Sequence, residues 1–355
     1  MNKKKILYIC GSLNQTTQMH KISLELPEYD AYFTHYYPDG YGYIKVLTNL
    51  GLLDMTILGG QAKKRTLNYL NANNLSIDLT GRKHNYDLVF TCSDLLIQKN
   101  IKDKKIILVQ EGMTDPENLV YYLVKNFRLP RWIASTSVTG LSYTYDKFCV
   151  ASEGYKELFI KKGVKPEKLE VTGIPNFDHC EQFLDNDFPH RDFVLVATSD
   201  MRETYKYENR KKFIKKAYKI ANGRKLIFKL HPNENYDRSA AEINKYAPGS
   251  LIYHRNKIEP MIANCNALIT RYSSVVYMAL ALGKEVYSDI DVKELKKLVP
   301  IQNNGKSAFN IAGVARRLIA ETDRSKVYTV GKQSLMNIPL KKRFKIKSRL
   351  ARAKR

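Results

Sequence analysis

Two polar groups follow apolar, strand-like runs in the second half of the chain. His231 comes directly after "LIFKL", and Ser273 and Ser274 stand between "ALITRY" and the helix-like run "VVYMALAL". Carboxyl ends of parallel strands meet at one sheet edge, so the imidazole and hydroxyls are expected on neighbouring strand ends. With the free N–H groups of a helix start, they predict a phosphate or diphosphate site. A surface histidine and ordinary serine capping are the simpler alternatives.

Three cationic side chains are candidates for the same site. Lys229 alternates with His231 and is predicted to share its face of the strand. Arg271 stands two residues before the serine pair, and Arg202 follows the strand-like run 193–197. Each could neutralise a departing phosphate without a metal ion. For Arg202, a solvated charged loop is the alternative.

A carboxylate in the first half is the candidate general base. Glu111 follows the apolar run "KKIILVQ" and precedes Gly112, which predicts a strand end facing a cleft. A partly desolvated carboxylate there can accept a hydroxyl proton. Asp115 is a weaker candidate. The alternative is that both acids cap a helix starting at Pro116.

The turn after the first strand-like run offers further polar groups. Gly11 and Ser12 open the polar run "GSLNQTTQ" and could approach a donor or an acceptor. The spacing is not G-x-G-x-x-G, so no dinucleotide site is predicted. His20 lies about two turns into the following helix and is a second candidate base. A histidine hydrogen-bonded within the fold is the simpler interpretation.

One Asp-x-Asp sequence, Asp289 and Asp291, could hold a metal ion. Capping of the helix that follows is the favoured interpretation. No metal site and no bound cofactor are therefore predicted.

The elements that must position these residues alternate between strand and helix. Strand-like runs in the first half are 5–10, 31–36, 87–92, 105–110 and 147–151, with a short one at "KLEV". Those in the second half are 193–197, 225–230, 250–253, 267–270 and 285–288. Helical stretches between them predict parallel sheets of βαβ units. We predict an α/β protein with Rossmann-like domains at 1–176 and 190–325, followed by a basic tail at 326–355.

Composition places the chain among globular proteins. It has 355 residues, and 44% of them are hydrophobic. The apolar run near its start is too short for a signal peptide. Five scattered cysteines without CxxC spacing predict a reducing cytoplasm. The net charge is +24, and the segment 340–355 holds nine Lys or Arg and no acid. Such a tail suits an anionic membrane surface, so a peripheral position on the inner face of the cell membrane is predicted.

The opening motifs resemble a known superfamily. "KLHPNE" followed by "ITRYSSVVYMALALGKEV" resembles the donor half of GT-B transferases, most closely CDP-glycerol glycerophosphotransferases and capsule polysaccharide transferases. "VTGIPNFD" (171–178) and "VQEGMTDPE" (109–117) resemble segments of UDP-N-acetylglucosamine 2-epimerases. The chain departs from these patterns at Arg271, where an Asp is usual, at Met278, where many relatives hold the ribose with an acid, and at Glu285.

The resemblance implies a GT-B fold with a central cleft and a nucleotide-activated donor, CMP-, CDP- or UDP-linked. It implies transfer of a sugar or polyol phosphate to a glycan or lipid-linked acceptor in bacterial surface glycan synthesis. A UDP-sugar 2-epimerase is the first alternative. A nucleic-acid-binding protein is the second, motivated by the charge and 24 Tyr. Nucleic acid is not expected, because no known motif appears and the tyrosines are dispersed.

Overall fold

The computed structural model describes residues 3–51, 53, 56–127, 129–203 and 207–336, with side chains up to residue 324. The segment 340–355, for which membrane contact was predicted, lies outside this range. Residues 1–312 form one compact unit that contains both β-sheets, and a second unit begins at Gly313. The predicted domain boundaries remain predictions. No helix in the described part of the chain has the length and hydropathy that a bilayer crossing requires.

The first sheet has six parallel strands in the order β2-β1-β3-β4-β5-β6. Its strands are β1 Lys5–Cys10, β2 Asp30–His35, β3 Leu88–Thr91, β4 Lys105–Val109, β5 Lys147–Val150 and β6 Leu169–Val171. The helices between them are α1 Leu13–Leu24, α2 Gly42–Asn49, α3 Gly60–Ala72, α4 Leu119–Phe127 and α5 Glu153–Lys162. A 3-10 segment, Arg131–Val138, follows α4.

The second sheet has five parallel strands in the order β11-β10-β7-β8-β9. Its strands are β7 Val194–Ala197, β8 Leu226–Lys229, β9 Leu251–Tyr253, β10 Ala267–Ile269 and β11 Glu285–Tyr287. Its helices are α6 Arg210–Ala221, α7 Tyr236–Tyr246, α8 Glu259–Asn264, α9 Val275–Ala281 and α10 Val292–Leu298. A long helix, α11 Ser307–Met336, ends the described chain.

Local sequence accounts for these elements. The inner strands of both sheets are buried almost throughout, as expected for parallel strands covered by helices on both faces, whereas the edge strands are partly exposed. Ser152 caps α5 by accepting a hydrogen bond from the Tyr155 backbone N–H, and Gly163 ends the helix with a φ of 112°. Only glycine adopts that left-handed conformation without strain. A serine cap and a glycine stop therefore set the two ends of α5.

The strand order corrects one expectation about the site. His231 follows β8 and the serine pair follows β10, but these strands are not neighbours, because β7 lies between them. Adjacent strands are about 4.8 Å apart, so the two strand ends are separated by roughly 10 Å. A ligand that contacts both must therefore extend across the end of β7.

The two sheets share one core, and the chain returns to the first sheet after α10. The Ile301 backbone N–H donates to the Ala151 carbonyl, just beyond β5. The Asp178 carboxylate accepts from the backbone N–H groups of Asn303 at 2.6 Å and Ser307 at 2.8 Å. These hydrogen bonds fix the segment before α11 against the junction between the sheets.

Candidate functional site

The Glu111 carboxylate lies at the end of β4 and is held by the turn after β1. The Ser12 hydroxyl donates to Glu111 Oε1 at 2.6 Å, and Asn14 Nδ2 lies 3.3 Å from the same oxygen. Gln15 Nε2 donates to Oε2. A carboxylate has about four lone-pair positions, so it can still accept a hydrogen bond from a substrate. The carboxylate is thus oriented at a partly exposed strand end, as predicted.

Gly11 makes this arrangement sterically feasible. A Cβ at Gly11 would lie 2.1 Å from Gln15 Oε1, so any other residue would displace the amide that contacts Glu111. Ser12 is also the N-cap of α1, since its Oγ accepts from the Gln15 backbone N–H at 3.1 Å. The predicted polar turn therefore holds the carboxylate of the candidate base in place. Direct contact of Gly11 and Ser12 with a donor or an acceptor remains a prediction.

A cavity of about 610 Å³ opens beside Glu111. One end is polar and includes Asn14, Gln15, Gln110 and Glu111. The rest is mainly apolar, and its lining includes Ile44, Leu47, Leu53, Ile57, Leu58, Leu95, Leu96, Met113 and Trp132. The volume falls within the usual range for small-molecule sites. This apolar compartment was not predicted, because its walls come from segments far apart in the chain.

Ser274 brings the second sheet to the same cavity. It is among the lining residues, and its Cβ lies 3.3 Å from the position that a Cβ on Gly112 would occupy. The side chain of Ser274 makes no capping hydrogen bond to α9, although it precedes that helix. Serine capping, the simpler alternative for this residue, is therefore not what the structure shows. Ser273 is not among the residues that line this cavity.

His231 lies apart from this cavity, on the other side of β7. Its backbone N–H donates to Thr198 Oγ1 at 3.2 Å, and its Nδ1 accepts from the Asn233 backbone N–H at 3.3 Å. In the neutral ring, Nδ1 as acceptor leaves the proton on Nε2. Burial lowers the pKa of His231, an effect that the nearby Asp200 carboxylate opposes. Arg65 of α3 also lowers the pKa, so His231 has a cation near it from the first sheet's side.

The predicted cations are engaged within the fold. Buried Lys229 donates from Nζ to the carbonyls of Leu230 and His254, both at 2.8 Å, and burial lowers its pKa. Arg271 Nε donates to Asp289 Oδ2 at 2.7 Å.

Arg202 is likewise paired with acids. Its Nη1 lies 2.8 Å from Glu242 Oε1, and its Nε lies 3.8 Å from Glu208 Oε2. Glu208 is buried and is also 2.9 Å from Arg210 Nε. The loop after β7 is therefore built around an internal ion-pair network, which sequence spacing did not reveal.

His20 packs against α3 rather than beside Glu111. Its Nδ1 lies 3.0 Å from the Tyr69 hydroxyl, and its ring contacts Tyr69 and Phe33 edge-on. Burial lowers the pKa of His20. The simpler interpretation, a histidine hydrogen-bonded within the fold, describes this environment.

The two aspartates of the Asp-x-Asp sequence serve separate structural roles. Asp289 pairs with Arg271, and the Asp291 carboxylate caps α10 by accepting from the Lys293 backbone N–H at 2.9 Å. Asp115, the weaker candidate base, also makes a contact within the fold. Its Oδ2 accepts a hydrogen bond from Thr136 Oγ1 at 2.8 Å. In the described part of the chain, no cluster of three His, Cys, Asp or Glu side chains could hold a metal ion.

Comparison with known proteins identifies the fold class. No protein-family model and no curated protein sequence matches the chain. Among solved structures, a protein assigned as a UDP-N-acetylglucosamine 2-epimerase from Listeria monocytogenes superposes with a TM-score of 0.56 at 15% identity, over 91% of this chain and 98% of that one. The UDP-GlcNAc 2-epimerase of Neisseria meningitidis, solved with UDP-GlcNAc, gives 0.51 at 11% identity over 88% and 100%.

A variant of the wall teichoic acid polymerase TagF gives a TM-score of 0.50 at 13% identity, over 91% of this chain and 90% of that one. At such identities, structural likeness establishes the fold alone. The chain is an α/β protein of the GT-B type, with two Rossmann-like domains. The predicted GT-B fold is confirmed.

Proposed function

We propose that the protein is a transferase that moves a sugar or a polyol phosphate from a nucleotide-activated donor to an acceptor hydroxyl. The observation that carries this proposal is that Glu111 and Ser274, from the facing edges of the two sheets, line one cavity. A transfer reaction needs a base on the acceptor side and groups that hold the leaving phosphate on the other. The two residues supply one member of each set.

In this proposal Glu111 takes the proton from the acceptor hydroxyl as its oxygen forms a bond to the transferred group. The bond from that group to the nucleotide's phosphate oxygen breaks, and the electron pair leaves with the nucleotide. Ser12 and Gln15 keep the Glu111 carboxylate in place during this step. Preorganised acceptors and donors of this kind lower the barrier because they need no rearrangement in the transition state.

The phosphate chain of the donor would contact Ser274 at one end and His231 at the other, with Arg65 adding positive charge from α3. In the tautomer whose Nδ1 accepts from the Asn233 backbone N–H, neutral His231 can donate its Nε2 hydrogen to a phosphate oxygen. Lys229, Arg271 and Arg202 act indirectly here, because they hold the loops that carry these groups. No metal ion is required in this scheme.

The experiment is a thermal-shift series with CMP, CDP, UDP and GDP. A ligand that binds only the folded state raises the melting temperature as its concentration exceeds Kd, so the preferred nucleotide names the donor class. Ser274→Ala should reduce the shift, and Ser250→Ala, at a serine beyond α7 that bonds only the Ala247 carbonyl, should not. If no nucleotide raises the melting temperature of the wild-type protein, the proposal fails.

A UDP-sugar 2-epimerase is the alternative with the same fold. Its ribose-binding acid has no counterpart here, since Met278 occupies that position and is buried in the core. Incubation with UDP-N-acetylglucosamine alone separates the two activities. An epimerase converts this compound without an acceptor, whereas a transferase does not.

The proposed setting is bacterial surface glycan synthesis on the cytoplasmic side of the membrane. The acceptor would be a glycan or a lipid-linked saccharide, and the basic segment 340–355 would hold the protein near anionic lipid. Vesicle and nucleic-acid binding should be measured side by side against salt, because a basic tail attracts both.

A further inference from the structure

Large apolar side chains are concentrated on one exposed surface of the first domain. Helix α4 has seven exposed residues, and five of them are apolar or aromatic. Leu119 is 74% exposed and Phe127 is 71% exposed, values that leave nearly the whole side chain in contact with water. We define the apolar surface as Leu119, Val120, Tyr122, Leu123, Phe127, Leu129, Trp132 and Ile133. Contiguous patches of this kind mark interaction sites.

The buried side of α4 shows that this exposure is not a packing defect. Tyr121 and Val124 of α4 pack against Ala134 and Val138 of the 3-10 segment in a small core of their own. The helix therefore already has a satisfied inner stripe. The apolar side chains on its remaining faces contribute nothing to that core.

The apolar surface continues to α2 and to the cavity. Trp132 Nε1 donates to the Tyr43 hydroxyl at 3.1 Å, and Tyr43 and Val46 of α2 are exposed as well. Trp132 also lines the cavity that contains Glu111. The candidate site therefore opens beside the apolar surface.

Charge around this surface indicates the chemistry of its partner. The segment 118–145 contains no Asp or Glu, but it contains Lys125, Arg128 and Arg131. Lys125 is exposed on α4 next to the apolar side chains, and its Nζ donates to the Lys162 carbonyl at 3.0 Å. Glu117, just before the segment, is the acid nearest to Lys125 in the sequence. Tryptophan, tyrosine and long aliphatic side chains mixed with cations and free of acids are typical of surfaces that enter a bilayer interface. The net charge of +24 favours anionic lipid.

We propose that the apolar surface inserts into the interfacial layer of an anionic phospholipid bilayer and so places the mouth of the cavity at the membrane. The contact is separate from the basic segment 340–355, which supplies only charge. Insertion buries the side chains of α4 and Trp132 between headgroups, and the neighbouring cations remain at the phosphate level.

Trp132 makes the test direct, because it is the only tryptophan in the protein. Adding phosphatidylcholine vesicles that contain phosphatidylglycerol should shift its fluorescence to the blue, and pure phosphatidylcholine should do so much less. Lipids brominated on their acyl chains should quench Trp132 in the wild-type protein. An unshifted and unquenched signal with the anionic vesicles overturns the proposal without any need for a variant.

A full-length double variant assigns the contact to the apolar surface. Leu123→Ser with Phe127→Ser should weaken vesicle binding at least about tenfold, since two large side chains that insert into the bilayer are lost. The matched control is Leu24→Ser with Leu184→Ser, two exposed apolar residues elsewhere, and it should bind like wild type. Equal binding of the test variant and the control would assign membrane contact to charge alone and overturn the proposal.

Sedimentation velocity tests whether a second copy of the chain, rather than a bilayer, covers the apolar surface. A dimer that Leu123→Ser with Phe127→Ser dissociates, combined with no Trp132 response to vesicles, would make the surface a protein interface and refute membrane insertion. Nucleotide thermal shifts measured without vesicles test the proposed transferase function separately. The two proposals therefore succeed or fail on different readouts.

Discussion

The hydroxyl oxygens of Tyr155 and Tyr277 lie 2.5 Å apart and form a buried hydrogen bond between α5 and α9. Burial raises the pKa of Tyr155 to about 12 and raises that of Tyr277 further, so both phenols remain protonated at neutral pH. Helix α9 begins directly after Ser274. This hydrogen bond therefore ties the residue that faces Gly112 to the domain of the first sheet.

Removing both of these hydroxyls should cost less than the sum of the costs of removing each one. Tyr277→Phe leaves Tyr155 with one partner fewer in a buried site, and we expect a loss of about 1–3 kcal/mol in the free energy of unfolding. The double variant Tyr155→Phe with Tyr277→Phe should lose less than the sum of the single variants. Urea unfolding measures all three. Strict additivity would show that the hydrogen bond contributes no coupling between the helices.

Replacing Glu111 should affect the chemical step and leave donor binding intact. We expect Glu111→Gln to lower transfer about 10²–10⁴-fold, since general base catalysis contributes in this range. The nucleotide thermal shift should persist, because the amide keeps the side-chain shape and lies on the acceptor side. Glu167→Gln, at an exposed position in the first domain, is the control. Unchanged transfer by Glu111→Gln would remove Glu111 from the mechanism.

The close approach of Gly112 to Ser274 predicts a steric effect. An added Cβ at Gly112 would lie 3.3 Å from Ser274 Cβ, which is tight but leaves room for a small shift. Gly112→Ala should therefore be tolerated, whereas Gly112→Val should separate the two strand ends and lower transfer by an order of magnitude or more. Gly42→Ala, where a Cβ meets nothing within 4 Å, is the control. Wild-type activity in Gly112→Val would show that this contact does not matter for the reaction.

Acid should destabilise the protein through His35. Burial, assisted by Lys63, lowers the pKa of His35 to about 4 from its usual 6.5, and its buried Nδ1 has no hydrogen-bond partner among the described residues. The unfolded chain binds this proton more readily, so stability is fully present above pH 6.5 and is lost as pH falls towards 4, by at most about 3 kcal/mol. In urea unfolding at several pH values, His35→Phe should flatten this dependence. An unchanged slope would assign the acid sensitivity to other groups.

Much of the fold could be predicted because burial on both faces of a parallel sheet leaves a strong local signal. The ten longer strand-like runs all correspond to strands, with ends that differ by at most one residue. Helix α2 and helix α3 were not predicted, since neither begins with a side-chain cap and α3 has only two buried residues. Strand order was beyond reach, because chain order does not reveal that β10 pairs with β7.

Sequence singled out residues of the candidate site only where they follow a recognisable strand. Glu111 follows a buried strand, and Ser274 stands between a strand and a helix, so sequence singled out both of these cavity-lining residues. The partners of Glu111 come from residues almost a hundred positions earlier, and Gln15 was not singled out. The pairing of the cations could not be predicted, because sequence shows the charge of Arg271 but not the Asp289 carboxylate that pairs with it.

Because β7 lies between the strands that carry His231 and Ser274, the second sheet holds these two residues at a fixed separation. A lone phosphate is too short to touch both residues across roughly 10 Å, whereas a longer anionic chain can bridge them. The length of the bound anionic chain alone would therefore distinguish an intact donor from a nucleotide product with a single phosphate. No side chain specific for either compound is needed.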